Sequence, residues 1–332
     1  MTRIALRDFK GIRRGVVEFA PLTLLAGPCG SGKTSVLEAI MLGHGFRDML
    51  PGLSVHDVLS RMRQGLSSRG LDHLIYGYGA ADAVQARVAF WRGEEFAYLV
   101  TVTSEGNRLV IRVAEPNRKG VEPSEVLEAS SERLQIGYHT RIVAVVERYT
   151  GRLRGEGFRG FIDVVYVHPK LLDSLIKYAY DNWISLVNAG ITATVARWIS
   201  RIVGNGSYVD MTAEPFGAGT ESIYLYSGRG IRIRLSDMGE CAATLAAARL
   251  AVDHKKPNVV LIDGLDAVTS PELYPALVEW FQALVGEGVQ VIATMQDSEH
   301  ARMLARATAE NGIDAANYQL SLSGGMLTVS SF

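Results

Sequence analysis

Residues 27 to 35 read Gly27-Pro28-Cys29-Gly30-Ser31-Gly32-Lys33-Thr34-Ser35. A glycine, four residues, a second glycine, a lysine and a threonine form a spacing suited to gripping phosphate. Glycines let the backbone curl until successive amides point inward, and a helix starting near Lys33 adds the positive end of its dipole. Lys33 then reaches the outer phosphate oxygens, and Thr34 offers a hydroxyl to a magnesium ion. The flanks agree with this reading. LTLLAG before the loop has the texture of a buried strand, and KTSVLEAIMLG after it, apolar at Val36, Leu37, Ile40 and Met41, that of an amphipathic helix.

A metal-assisted phosphate site also needs an acidic residue held at the tip of a buried strand. Val259-Val260-Leu261-Ile262-Asp263 supplies one, with Asp263 emerging after four apolar residues. A strand-end turn aspartate would read the same way, and it is the upstream loop that gives Asp263 its meaning as a metal ligand beside Thr34. His168, before Pro169, reads either as a strand-end structural histidine or as a group in reach of a ligand.

These residues must be positioned by alternating elements. The opening stretch alternates at Ile4, Leu6, Val17 and Phe19 around Gly11 and Gly15, which predicts two short strands and a turn. A short helix is expected near Val55 to Gln64, then a period-two region from Ala83 to Val113 that predicts an antiparallel sheet. Helical potential appears near Ser124 to Leu134 and Val143 to Arg152. FIDVVYVHP reads as a strand, and Leu171 to Ile202 as helical. In the last third IYLYSG and GIRIRLS are strands, GECAATLAAARLAVDH is a helix, and NVVLID, VQVIAT and two further helices alternate before a closing hairpin. Helices between apolar strands imply crossovers and a largely parallel sheet.

Composition narrows the field. The 332 residues carry 34 Lys+Arg against 35 Asp+Glu, a formal net charge of -1, so no global field announces a nucleic-acid partner. Arg3, Arg7, Arg13 and Arg14 with Arg61, Arg63 and Arg69 form either a local strip for nucleic-acid phosphates or a salt-bridged face. Tyr76, Tyr78, Phe90, Trp91 and Tyr98 read as sheet packing. Two cysteines, Cys29 and Cys241, build neither a disulfide framework nor a multi-cysteine metal site. No signal peptide or membrane segment is read, so a cytoplasmic protein is expected.

The stretch LRDFKGIRRGVVEFAPLTLLAGPCGSGKTSVLEAI resembles the start of ABC-type ATPase heads of the SMC, RecF and OLD kind. The later segments look like small prokaryotic, archaeal-type AAA-family ATPases related to OLD proteins. RIRLSDMGECAATLAAARLA is similar to the signature motif and its helix, VVLIDGLDAVTSPELY to the Walker B strand and D-loop, and VQVIATMQDSEH to the switch strand. The resemblance implies an α/β P-loop NTPase with a mixed sheet core, helices on both faces, an antiparallel β lobe and a helical lobe. It implies one head over 1–332. Residues 1–45 would hold the first strands, loop and helix, and 46–160 an inserted lobe. Residues 161–235 would form a helical lobe, and 236–332 the signature helix through the closing hairpin. ATP and Mg2+ are the implied cofactors. The implied assembly is a homodimer in which Ser236, Asp237, Met238, Gly239 and Glu240 face the partner's nucleotide. Ser236 and Asp237 are also good N-cap candidates for the helix that follows.

Two departures bear on chemistry. The glutamate that follows the Walker B aspartate in such heads is here Gly264, and the switch histidine is Met295. Asp266 and Gln296 are the nearest substitutes, with Asp297 and Glu299 behind them. The expectation is an ATP-gated dimerising switch whose hydrolysis is slow or lost. The alternative is a regulatory nucleotide-binding subunit of a DNA-repair or anti-phage complex whose partner supplies the output. A protein partner and a nucleic acid are both left open, and no membrane is expected.

Overall fold

The structure is a computed structural model that describes residues 1–62, 71–79, 85–116, 123–128, 138–147, 152–155, 157–203, 208–216 and 220–332. The chain divides into two compact units, Met1–Val164 with Ala316–Phe332, and Val165–Ala315.

The first unit is built on a long run of neighbouring strands. Their order is 153–154, 138–147, 108–116, 95–105, 85–92, 3–9, 12–18, 326–331, 315–323 and 22–26. Strands 3–9 and 12–18 pair antiparallel, with Arg3 opposite Glu18 and Phe9 opposite Ile12, as the alternation predicts. Strand 85–92 continues antiparallel on the other edge of 3–9, and the expected antiparallel sheet follows through 95–105 and 108–116. Met326 aligns with Arg14 in a parallel pairing, which makes this sheet mixed. Phe90, Trp91 and Tyr98 are buried within it, as sheet packing requires.

One element departs from expectation. The helical potential read near Val143 to Arg152 is overridden, because Tyr138–Glu147 is a strand paired with Arg108–Pro116. Val143, Val145 and Val146 are β-branched, and their stiff χ1 suits a pleated surface with a ready-made neighbour better than a helix. Helix Pro123–Glu128 lies within the region read as helical from Ser124, and residues 129–137 lie outside the described residues.

Helix Lys33–His44 is fixed to this unit at its C-terminal end and at its middle. The Tyr98 hydroxyl donates to the Gly43 carbonyl at 2.6 Å, and burial pushes that phenol's pKa up. Near the middle, Glu38, 1 % exposed, is paired with Lys10 in the turn between the first two strands. The Lys10 amide in turn donates to Leu74 at 3.0 Å. The arginines of the N-terminal strip are engaged within the unit. Arg3 reaches Glu18 and Glu94, Arg7 reaches Asp8 and the Leu127 carbonyl, Arg14 reaches Glu128, and Arg13 stacks over Tyr76. Arg63 and Arg69 lie outside the described residues.

In the second unit strand Val259–Ile262 runs parallel to Gln290–Met295, in register from Val259 opposite Gln290. Strand Val164–Val167 is its other neighbour. Helices Glu240–Lys255, Tyr274–Gly286 and Ser298–Glu310 supply the crossovers. The helical region past Leu171 resolves into Leu172–Asp181, Trp183–Asn188 and Ile191–Val203. A separate antiparallel sheet joins Tyr208–Phe216, Thr220–Ser227 and Arg232–Arg234. The strand Tyr208–Phe216 has no counterpart in the sequence reading. Among the described residues no helix is long and apolar enough to cross a membrane.

The Lys10 and Glu38 pair gives a direct test of how this unit is held. Lys10→Met leaves a buried carboxylate without its cation and should cost about 3–5 kcal/mol in chemical denaturation, while adding Glu38→Leu should recover most of that loss. Equal stabilities for the single and double variants would show that the pair does not anchor the helix.

Candidate functional site

Strand Leu22–Ala26 is buried at every position, and the chain leaves it through three glycines with positive φ. Gly27, Gly30 and Gly32 have φ of 152°, 81° and 94°, a region that L side chains avoid. A Cβ on Gly27 would stand 2.6 Å from the Leu320 carbonyl oxygen, whereas one on Gly30 would meet nothing within 4 Å. The first glycine is therefore demanded by packing on the closing hairpin and the second by curvature. Pro28, Cys29 and Gly30 are exposed, Ser31 is buried, and Gly32, Lys33, Thr34 and Ser35 are half-buried.

The helix that follows has Gly32 as its N-cap, with no side-chain cap and no acidic residue in its first turn. The positive end of its dipole faces the loop, which suits an anion. Lys33 folds back over the loop, with Nζ donating to the carbonyls of Gly27 at 2.5 Å and Pro28 at 2.9 Å and to Ser31 Oγ at 3.3 Å. This donor set fits a phosphate chain: amides at a helix start, an ammonium above them and no acidic residue in the helix's first turn.

In the second unit Asp263 follows the buried strand Val259–Ile262 and is 8 % exposed. Its carboxylate is clamped. Thr294 Oγ1 donates to Oδ1 at 2.7 Å, and Tyr166 Oη donates to Oδ2 at 2.8 Å. The same Thr294 oxygen accepts the Gly264 amide at 2.8 Å. Each carboxylate oxygen carries more than one lone pair, so hydroxyl donors of this kind are compatible with a cation ligand. Magnesium bound with nucleotide takes one or two protein oxygens and fills its shell with phosphates and water. The Asp263 carboxylate of the second unit and the Thr34 hydroxyl of the first are each an oxygen donor of that kind, and among the described residues no group of three or more His, Cys, Asp or Glu forms a cage.

Gly264 adopts φ 70°, ψ 53° and opens the short helix Leu265–Val268. Glycine here is a backbone requirement as well as the absence of a carboxylate. Met295 is fully buried, so its thioether is in the core. Asp266 Oδ2 accepts the amides of Gln296 at 2.6 Å and Asp297 at 2.9 Å, which ties that carboxylate to the end of the switch strand. Asp297 caps helix Ser298–Glu310 through the amides of Glu299 and His300, and those bonds hold its carboxyl below the usual range. Gln296 and Glu299 are exposed.

His168 takes the structural role of the two read for it. Its Nδ1 accepts the Lys170 amide at 3.1 Å and caps the turn Pro169–Leu171. Burial lowers its pKa while the Asp263 carboxylate pulls it upward.

Ser236, Asp237 and Met238 lie in the turn Leu235–Met238, and Ser236, Asp237, Gly239 and Glu240 are exposed. Arg234 grips Asp237 with Nε to Oδ2 at 3.1 Å and Nη2 to Oδ1 at 2.7 Å, which lowers the Asp237 pKa. Neither Ser236 nor Asp237 caps the following helix. Gly239, at φ 88°, is the N-cap of Glu240–Lys255, and no side chain bonds its open amides. The Cys241 thiol donates to the Ala267 carbonyl at 3.3 Å. Sequence reading missed the clamp residues Tyr166 and Thr294; the one signal was a hydroxyl-bearing residue in each of two otherwise apolar strands.

Thr294→Val should leave a carboxylate oxygen and the Gly264 amide short of a partner and cost about 1–3 kcal/mol, with Thr294→Ser close to the parent. Equal urea midpoints for the Val and Ser variants would contradict the clamp.

No family model matches the chain. A stretch of 62 residues is 48 % identical to the DNA replication and repair protein RecF of Erwinia tasmaniensis, and 56 residues are 48 % identical to RecF of Salmonella paratyphi B. The chain thus spans only 17 % and 16 % of the length of these curated relatives, and the stretches are the same shares of this chain. Among solved structures, an SMC head bound to the C-winged helix domain of ScpA superposes with a TM-score of 0.56 at 15 % identity, covering 100 % of this chain and 97 % of that one. The SMC head domain of Thermotoga maritima covers 100 % and 98 % at 14 % identity and a TM-score of 0.47.

Proposed function

We propose that this chain, which has the α/β fold of an ABC-type ATPase head of the SMC and RecF kind, binds ATP with Mg2+ and uses it to gate dimerisation, with slow or absent hydrolysis. The observation that carries the reading is the uncapped start of helix Lys33–His44 beneath the Lys33 ammonium. Gly27 to Ser35 would cradle the phosphates, Lys33 would neutralise the outer ones, and Thr34 and Asp263 would hold the metal. When bound, the metal supplies charge neutralisation between the outer phosphates.

The signature residues Ser236 to Glu240 would meet the nucleotide of a second copy. Support comes from the exposed start of Glu240–Lys255, which no side chain caps; Asp237 before it is occupied by Arg234, and Glu240 is the acidic residue of its first turn. A nucleotide drives closure only by its extra affinity for the closed dimer, and a signature that contacts the partner's phosphates provides that difference.

Hydrolysis needs a group that orients the attacking water. Gly264 has none, buried Met295 cannot present one, and Asp266 is bonded to backbone amides. Losing general-base assistance costs about two to four orders of magnitude. A second reading, favoured by the solved SMC head that is bound to a ScpA domain, is a nucleotide-holding subunit whose protein partner supplies the output. RecF, a DNA repair protein by name, makes a repair complex the first place to look.

Light scattering with and without Mg2+ and ATP separates the two: a shift from monomer to dimer, lost in Lys33→Ala, is expected of the switch, and nucleotide binding without a shift supports the static subunit. Turnover should stay below about one per second, the low end of ordinary enzymes. Gly264→Glu should not restore it and should cost about 1–2 kcal/mol, because the new side chain inherits a left-handed backbone. Faster turnover that Lys33→Ala abolishes would overturn the slow-hydrolysis reading.

A further inference from the structure

Three helices of the second unit line a solvent-open pocket of about 310 Å³. Helix Glu240–Lys255 and the residue after it present Arg249, Val252, Asp253 and Lys256, spaced i, i+3, i+4 and i+7, so they form one stripe. Helix Tyr274–Gly286 and its C-cap present Trp280, Ala283, Leu284 and Glu287 with the same spacing. The start of helix Ile191–Val203 closes a third side. Facing stripes of this kind ordinarily interlock to crystal-like density, with few voids larger than a water molecule. Here a space remains that lies at the lower end of the range for small-molecule pockets.

The floor of the cavity is charged. Arg249 is 7 % exposed. Its Nε donates to Asp253 Oδ2 at 3.2 Å, and its guanidinium stacks over Trp198 at 4.7 Å. Its Nη1 is buried and has no hydrogen-bond partner among the described residues. Asp253 accepts a second bond from Trp280 Nε1 at 3.1 Å, and burial pushes its carboxyl upward in pKa while Arg249 and Trp280 pull it back. A buried guanidinium with donors to spare is costly to leave unmatched. Arginine's planar fork is the side chain best suited to a carboxylate or phosphate.

The rest of the lining chooses between those anions. Lys256 and Glu287 pair at 3.4 Å, so the two cations of the cavity are balanced by two carboxylates. A dianionic phosphate would bring excess negative charge against Asp253 and Glu287. A monoanion with a compact apolar body matches Arg249 on one side and Val252, Leu284, Val289 and Ile191 on the other.

We propose that this cavity is a binding site for a small branched-chain carboxylate, whose carboxyl group takes the spare donors of Arg249. The site is separate from the nucleotide-binding residues and does not depend on the ATP reading. Two sources share the chemistry: a free amino acid, whose ammonium would add a contact to Asp253 or Glu287, and a simple short-chain acid.

Isothermal titration of the full chain with leucine, with 4-methylpentanoate and with 4-methylpentan-1-ol tests the site and distinguishes the sources. Saturable one-to-one binding of at least one carboxylate is expected, with the alcohol at least tenfold weaker. Tighter binding of leucine identifies an amino-acid site, and tighter binding of 4-methylpentanoate a plain acid site. Arg249→Met should weaken binding at least tenfold. Because that variant removes a buried cation and can fail to fold, Ala283→Phe, which fills the cavity and leaves the ion pair intact, should abolish binding in a chain whose circular dichroism is unchanged. Absence of saturable binding by either carboxylate, equal binding of the alcohol, or full binding by folded Ala283→Phe would overturn the proposal.

Discussion

A helix that begins without a cap is the constraint around which the first unit is arranged. No side chain caps it, which forfeits the stabilisation, about 1 kcal/mol, that an N-cap side chain ordinarily contributes. The chain does cap helices elsewhere. Ser54 and Asp57 form a capping box at Val55–Arg61, and Asp297 caps Ser298–Glu310. The starts at Gly32 and Gly239, like those of Leu172–Asp181 and Tyr274–Gly286, carry no side-chain cap, and each of the first two has a glycine N-cap with φ near 90°. The cost is offset where the helix is already held, by Lys10 against Glu38 and by Tyr98 against Gly43. Rigid support from below permits an end without a side-chain cap above.

The second unit solves a different problem, that of fixing the orientation of a nearly buried carboxylate. Two hydroxyl donors from the flanking strands fix its rotation. Thr294 also accepts the Gly264 amide, so one hydroxyl joins the carboxylate to the left-handed turn that follows it.

Much of this was legible in the sequence, and the reasons for the rest are physical. The glycine spacing before Lys33 is a local signal, and strand, loop and helix follow from patterns within about twenty residues. Strand Tyr208–Phe216 escaped notice because Asp210, Glu214 and Pro215 break its alternation. Tyr138–Glu147 was misread because valines near a charged stretch satisfy either period until a neighbouring strand decides. The Asp263 clamp was invisible for another reason: its two donors lie 97 and 31 positions away in sequence, and only strand order brings them together. The departures at Gly264 and Met295 could be read as missing groups. That Met295 is buried and that Gly264 is left-handed required coordinates.

The packing of Gly27 on Leu320 sets a schedule for the newborn chain. The contact spans 293 positions (320 minus 27), and the strand that precedes the loop lies beside strand 315–323. At about 5–20 residues per second, a ribosome needs roughly 15–60 s to cover that distance. Through that interval the glycine loop exists as sequence without its supporting wall. The loop's final shape is thereby deferred until the second unit has already been made.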